Sequence, residues 1–161
     1  YGRKGELAPD RVANIVAVHD QFKPPIVILD AGTIFSLDVI DENGQYRGGI
    51  FLPGPALGAE SMAQAIPRLP NVARQKTQSV IGSDVVESLQ SGVYWGTIEM
   101  VTGLVQRIWQ DLGTQGALIG TGWFIREMEE DLKLHHTEPS LTLIGLKRLH
   151  DLNSDDEKAT N

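Results

Sequence analysis

Ile26–Val27–Ile28–Leu29–Asp30–Ala31–Gly32–Thr33, continued by Ile34–Phe35–Ser36–Leu37–Asp38–Val39–Ile40, is the stretch whose reading decides the fold. Four apolar residues, three of them β-branched, follow Pro24–Pro25 and read as a buried strand. An Asp stands at the end of that strand, and Ala31–Gly32 permits a sharp backbone turn. The run from Thr33 to Ile40 is again β-rich, so the spacing predicts a tight strand–turn–strand. Its rim carries a carboxylate, a bare backbone and a hydroxyl. Asp supplies a hard anionic ligand, Gly lets a phosphate approach, and Thr donates a hydrogen bond. The same residues also suit an ordinary hairpin whose Asp and Thr cap the turn, and D-x-G-T is too short to separate the two readings.

Upstream, Tyr1 to Leu7 is polar and Gly-rich. From Pro9 the pattern turns helical, with Val12, Ile15, Val16 and Val18 giving an apolar face. Pro9 suits a first helical turn, and Asp10 beside it would feel the favourable N-terminal dipole and stay ionised. Simple capping is the other reading of Asp10. Lys23–Pro24–Pro25 stops the helix.

Downstream, Asp41–Glu42–Asn43–Gly44 is a turn signal, and Gln45 to Leu52 reads as a third strand of an antiparallel meander. Gly48–Gly49 inside it predicts a bulge or a close backbone approach. A modest helix follows from Leu57 to Ile66, then a loop region to Ser83. Helical periodicity dominates from Asp84 to Leu112, with Asp84 as N-cap, Glu87 at the capping-box position and Gly113 as C-cap. Ser88, Gly92 and Gly96 recur every four residues on this helix, with Gly103 beyond. Each interior Gly costs roughly 1 kcal/mol relative to Ala, so the stripe calls for close packing, within the chain or between subunits. Ala117–Leu118–Ile119–Gly120 is a short strand that Thr121–Gly122–Trp123 turns into a helix through Leu132. Leu134 to Thr137 reads as a last strand, with His135 and His136 exposed, and Pro139 opens a final helix.

Composition bounds the function. With 161 residues, 41% of them hydrophobic, the chain can build one domain with a core. A net charge of −7 and no run of more than two adjacent basic residues argue against nucleic-acid backbone binding. No apolar run approaches ~18 residues, so no membrane-spanning helix is expected. Zero cysteines exclude disulfides and thiol chemistry. No secretory signal is visible, which makes the cytoplasm the default. The first residue is Tyr rather than Met, which fits a chain beginning inside a longer reading frame.

Several segments together resemble the type III pantothenate kinases, of the acetate/sugar kinase–Hsp70–actin superfamily. The family's Y-x6-G-x-D-R is similar to Tyr1…Ala8–Pro9–Asp10–Arg11, and its D-x-G-T-x4-D to Asp30–Ala31–Gly32–Thr33…Asp38. G-G-x3-P-G matches Gly48 to Gly54, L-P-x-V matches Leu69 to Val72, and Q-S-G matches Gln90 to Gly92. I-G-x-N-T resembles Ile81 to Val85, T-G-G resembles Thr121 to Trp123, and D-P-x-L-T-L-x-G-L resembles Glu138 to Leu146.

The resemblance implies an α/β, ribonuclease H-like (actin-like ATPase) domain: a mixed sheet with a three-strand antiparallel meander and flanking helices. Residues 1–153 would be the C-terminal such domain, with the N-terminal half of the family pattern absent and 154–161 a disordered polar tail. It implies ATP-dependent phosphorylation of pantothenate to 4'-phosphopantothenate, the first step toward coenzyme A. Asp10 would be the catalytic base, and Tyr1, Ala8, Pro9, Arg11 and Val85 would join it in binding pantothenate. Asp30 would bind a monovalent cation (K+ or NH4+) and Thr33 the ATP phosphates. Mg2+ belongs with the family's D-x-G-N-T loop, which has no counterpart from Tyr1 onward. The family works as a homodimer, here expected through the 84–112 helix.

The chain departs from the pattern at Ala8 for Gly, Val85 for Thr, Trp123 for the second Gly of the nucleotide turn, and Phe35 where Thr is frequent. A degenerate, non-catalytic ligand-binding or accessory relative of the same fold therefore stays open, as does a dimerisation module.

Overall fold

The computed structural model describes residues 6–19 and 21–159. Pro9–His19 forms α1, and the decisive stretch forms β1 (Ile26–Ala31) and β2 (Ile34–Ile40). Then come β3 (Tyr46–Pro53), α2 (Pro55–Ala65), the long α3 (Val85–Leu112), β4 (Ala117–Thr121), a 3₁₀ turn (Ile125–Glu127), α4 (Glu129–Leu132), β5 (His136–Thr137) and α5 (Leu141–Ala159).

The strands form one sheet in the order β3-β2-β1-β4-β5. β1 is antiparallel to β2, β2 to β3, and β4 runs parallel to both β1 and β5. A central strand is covered on both faces, which is why Ile26 to Leu29 is an unbroken apolar run rather than an alternating one. Val27, Leu29, Ala31, Phe35, Leu37 and Val39 face α3, whose Tyr94, Ile98, Val101, Val105 and Ile108 close that core. Ile26, Ile28, Ile40 and Ile119 face the other way, against Ala17 and Val18 of α1 and Leu141 of α5. The polar residues that share this second face, one step further along the strands, make the site.

The expected meander is present, and its bulge falls at Arg47, where the β2–β3 register shifts between Val39 and Ile40. The Asp84 side chain accepts from the Glu87 N–H at 2.8 Å, as a cap should. The return leg differs: Glu87 Oε2 accepts from the Ser83 N–H and hydroxyl, one residue before the cap. Gly113 ends α3 in the left-handed region.

Three segments differ from expectation. The helix through Leu132 is broken into a 3₁₀ turn and the four-residue α4, because the Phe124 N–H donates to the Ala31 carbonyl and ties the chain to the sheet end. The last strand shrinks to His136–Thr137, since His135 Nδ1 takes the Leu118 N–H that a longer ladder would use. α5 runs on to Ala159, into the expected polar tail, where Ser154 Oγ donates back to the His150 carbonyl. No described helix is long and apolar enough to cross a membrane.

Candidate active site

Asp30 is the last residue but one of β1 and lies on the α1/α5 face, and its ladder partners place Ser36 on one side of it and Thr121 on the other. α1 lies above this row and points Arg11 and Asn14 into it. Arg11, 4% exposed, pairs with the fully buried Asp38 through Nε (2.9 Å to Oδ1) and Nη2 (2.6 Å). The Tyr46 hydroxyl accepts from Arg11 Nη2 and donates to Asp38 Oδ1, both at 2.8 Å. The Phe51 ring lies 4.6 Å from the guanidinium carbon, a cation–π distance. Gly49, opposite Asp38 in the ladder, makes room for this cluster: a Cβ there would strike the Leu37 carbonyl and Arg11 Nη2.

Asn14 is fully buried and uses both ends of its amide. Nδ2 donates to Asp30 Oδ2 at 3.2 Å, and Oδ1 accepts from the Thr142 hydroxyl at 2.8 Å. One side chain thereby ties α1, β1 and α5 together. α5 gets close enough because residue 145 is Gly, where a Cβ would run into the Ala13 backbone.

Burial pushes the Asp30 carboxyl above its ordinary value. The Asn14 hydrogen bond opposes this, while the charges of Asp10 and Asp38 add to it. Thr121 beside it is 1% exposed, and its Oγ1 has no hydrogen-bond partner among the described residues.

Two glycine-bearing turns close around the same strand ends. The Gly54 N–H donates to the Thr33 carbonyl at 3.0 Å, and a Cβ on Gly54 would collide with the carbonyls of Gly32 and Thr33. Gly122, at φ +89°, presses its backbone on Ala31. Ligands of open α/β sheets bind beyond the carboxyl ends of parallel strands, and Asp30, Thr33 and Thr121 stand at that end. Next to it, α2, residues 71–74 and Trp123 enclose a cavity of about 330 Å³. Trp123 is 62% exposed there, and the Arg74 guanidinium stacks 3.6 Å from the Phe124 ring centre.

The profile of the type III pantothenate kinases matches residues 1–107. The chain belongs to that family. A type III pantothenate kinase of Acidiphilium cryptum is 38% identical over 145 residues, covering 89% of this chain and 54% of the relative. One from Paramagnetospirillum magneticum is 37% identical over 153 residues, 94% and 59% of the two chains. The chain thus spans a little over half the length of these relatives. Among solved structures, a conserved Campylobacter jejuni protein described as a candidate Baf family transcriptional activator superposes with TM-score 0.65 at 21% identity, over 94% of this chain and 67% of that one. The activator of the 2-hydroxyisocaproyl-CoA dehydratase of Clostridium difficile superposes at 0.51 and 13% identity, over 92% and 69%. At these identities the two structures speak for the fold, that of the actin-like ATPases.

Within this family member, Asp10 is exposed in the first turn of α1 and close enough to Asp30 to act on its charge. Ala8 and Pro9 are exposed beside it, and Thr33 is exposed at the β1–β2 turn. Tyr1 lies outside the described residues. Arg11 is directed inward at Asp38 rather than outward. Val85 does not join the group: it is 55% exposed and begins α3, the helix covering the opposite face of the sheet.

Asn14, Tyr46 and Thr142 were not picked out by sequence reasoning. Asn14 had a signal, standing four residues after Asp10 and sharing the buried helix face with Ala13, Ala17 and Val18. Among the described residues no three His, Cys, Asp or Glu side chains are grouped to hold a metal ion.

Proposed function

We propose that this chain is the C-terminal half of a kinase that transfers the γ-phosphoryl group of ATP to the primary hydroxyl of pantothenate, in the cytoplasm. The observation that carries the reading is the exposed Asp10 carboxylate at the start of α1, beside the strand ends that bear Asp30 and Thr33. The pantothenate oxygen attacks the γ-phosphorus, the bond to the β-phosphate oxygen breaks, and the hydroxyl proton passes to Asp10. Arg11 anchored to Asp38 holds the start of α1, and so Asp10, at a fixed height above the sheet. Tyr1, Ala8 and Pro9, beside Asp10 in the chain, are the remaining pantothenate contacts, Arg11 serves from behind by fixing α1, and Thr33 contacts the ATP phosphates.

The Asp30 end of the sheet fits a monovalent cation, K+ or NH4+. It offers a carboxylate whose burial disfavours its charge and a neighbouring hydroxyl that lacks a partner. When bound, the cation supplies positive charge facing the ATP phosphates. Among the described residues no three His, Cys, Asp or Glu side chains are grouped for Mg2+.

The glycine stripe supports a homodimer through α3. No atom of the described residues outside α3's own backbone lies within 4 Å of where a Cβ would stand on Gly92, Gly96 or Gly103. An internal packing reason is therefore lacking. Val85 falls on the same helix face at 3.6 residues per turn, so a second copy covering the stripe would also cover Val85.

Asp10→Asn in a chain of the family's full length tests the assignment. Asn keeps the shape and removes the base, so kcat should fall by ~10²–10⁴ with little change in pantothenate KM or melting temperature. Turnover close to the parent's would leave Asp10 as a cap. One observation favours a second reading, a non-catalytic relative: the Trp123 ring packs on Phe124 where the family's turn has glycine. ATP binding without turnover in that full-length chain would decide for it.

A further inference from the structure

We propose that Thr121 is a second side-chain ligand of the cation read at Asp30, so that the ion sits between the ends of β1 and β4. The proposal deepens, and rests on, the reading of Asp30 as a cation ligand.

Geometry comes first. Asp30 and Thr121 are partners in the parallel β1–β4 ladder. Neighbouring strands lie ~4.8 Å apart, and partners in a ladder project side by side to one face. That face is identified by the residues two positions earlier, Ile28 and Ile119, which pack in the same cluster with α1 and α5. The carboxylate of Asp30 and the hydroxyl of Thr121 therefore stand next to each other at the mouth of the sheet, under α1.

The hydrogen-bond accounting comes second. The other polar groups on this face of the sheet are engaged: Ser36 donates to Asp38, Asp38 holds Arg11, Asn14 donates to Asp30, and Thr142 donates to Asn14. Thr121 Oγ1 alone among these groups lacks a partner, at 1% exposure. A buried hydroxyl left unsatisfied is costly and calls for an explanation. A hydroxyl oxygen carries lone pairs that a hard cation accepts.

The third point is preorganisation. Asn14 is itself fixed by Thr142, so the Asp30 carboxylate is held through its Oδ2 by an anchored donor. One carboxylate and one neutral oxygen form a singly charged seat, matched to a monovalent ion. A divalent ion would call for more anionic ligands than the described residues gather here.

The test is thermal unfolding of the 161-residue chain in rising KCl, with choline chloride holding ionic strength constant. Four chains are compared: parent, Asp30→Asn, Thr121→Val and Thr121→Ser. The parent is expected to gain stability saturably, and Asp30→Asn to lose the response. Thr121→Val should raise the half-saturating K+ concentration by about tenfold or more, and Thr121→Ser should keep it. In choline alone the valine variant should melt no lower than the parent, since it removes an unsatisfied group; a merely structural threonine would show the opposite. Thr121→Ala serves the same comparison should the valine variant not fold. An unchanged K+ midpoint in Thr121→Val, with the response lost in Asp30→Asn, would overturn the Thr121 assignment while leaving Asp30 standing. A parent with no saturable K+ response would overturn both.

Discussion

Asp38→Asn isolates the ion pair on which the start of α1 rests. Asn has nearly the shape of Asp, so the change removes charge and one acceptor without opening a cavity. Arg11 is 4% exposed and Asp38 0%, so the guanidinium would lose its bidentate carboxylate in a site water hardly reaches. Breaking a buried pair by removing one partner costs about 3–5 kcal/mol. The lower end applies, because the Tyr46 hydroxyl and the Phe51 ring remain in contact with Arg11. A loss of about 3 kcal/mol lowers the melting temperature of a chain of this size by roughly 6–12 °C. Urea unfolding followed by circular dichroism measures it directly. The loss should be nearly the same in low and high salt, since buried pairs are poorly screened. The double replacement Arg11→Met with Asp38→Leu should recover most of the stability, because it leaves no unpaired charge. A cost below about 1 kcal/mol for Asp38→Asn, or a double variant less stable than either single one, would refute the reasoning.

Asp30→Asn should stabilise the chain at neutral pH in K+-free buffer. A carboxyl whose folded value is raised supports the fold below its ordinary range and loses that support as pH rises through the folded value. The variant should therefore match the parent near about pH 3 and exceed it at about pH 7; a lower melting temperature at neutral pH would contradict this. Gly92→Leu should shift the protein from dimer to monomer in sedimentation, and an unchanged dimer or a monomeric parent would return the stripe to an internal role. Gly145→Ala should cost about 1–3 kcal/mol, because the new methyl meets the Ala13 backbone between α5 and α1, and an unchanged urea midpoint would mean the helices part freely.

What sequence alone determined here is what neighbouring residues decide among themselves. The unbroken apolar run Ile26–Leu29 announced a strand covered on both faces. Asn43–Gly44 announced the hairpin of β2 and β3, and Asp84 and Gly113 the limits of a 28-residue helix. Each depends on interactions within about four residues, and each is where local chemistry puts it. The ordered motifs from Ala8–Pro9–Asp10–Arg11 to Leu141–Thr142–Leu143 likewise carried the family. The partners of the polar side chains were beyond that reach. Arg11 finds Asp38 27 residues away, and Asn14 finds Thr142 128 residues away. Nothing local distinguishes those pairings from Arg11 turned outward toward a substrate. The same holds for Thr121: T-G-W marks a turn, but only the parallel register with β1 puts its hydroxyl beside Asp30. The helix expected through Leu132 failed for a related reason, a hydrogen bond to Ala31 across the sheet outweighing a helical pattern too short to hold by itself. Strand register and helix packing are properties of the whole chain, and they decided which of the legible residues meet.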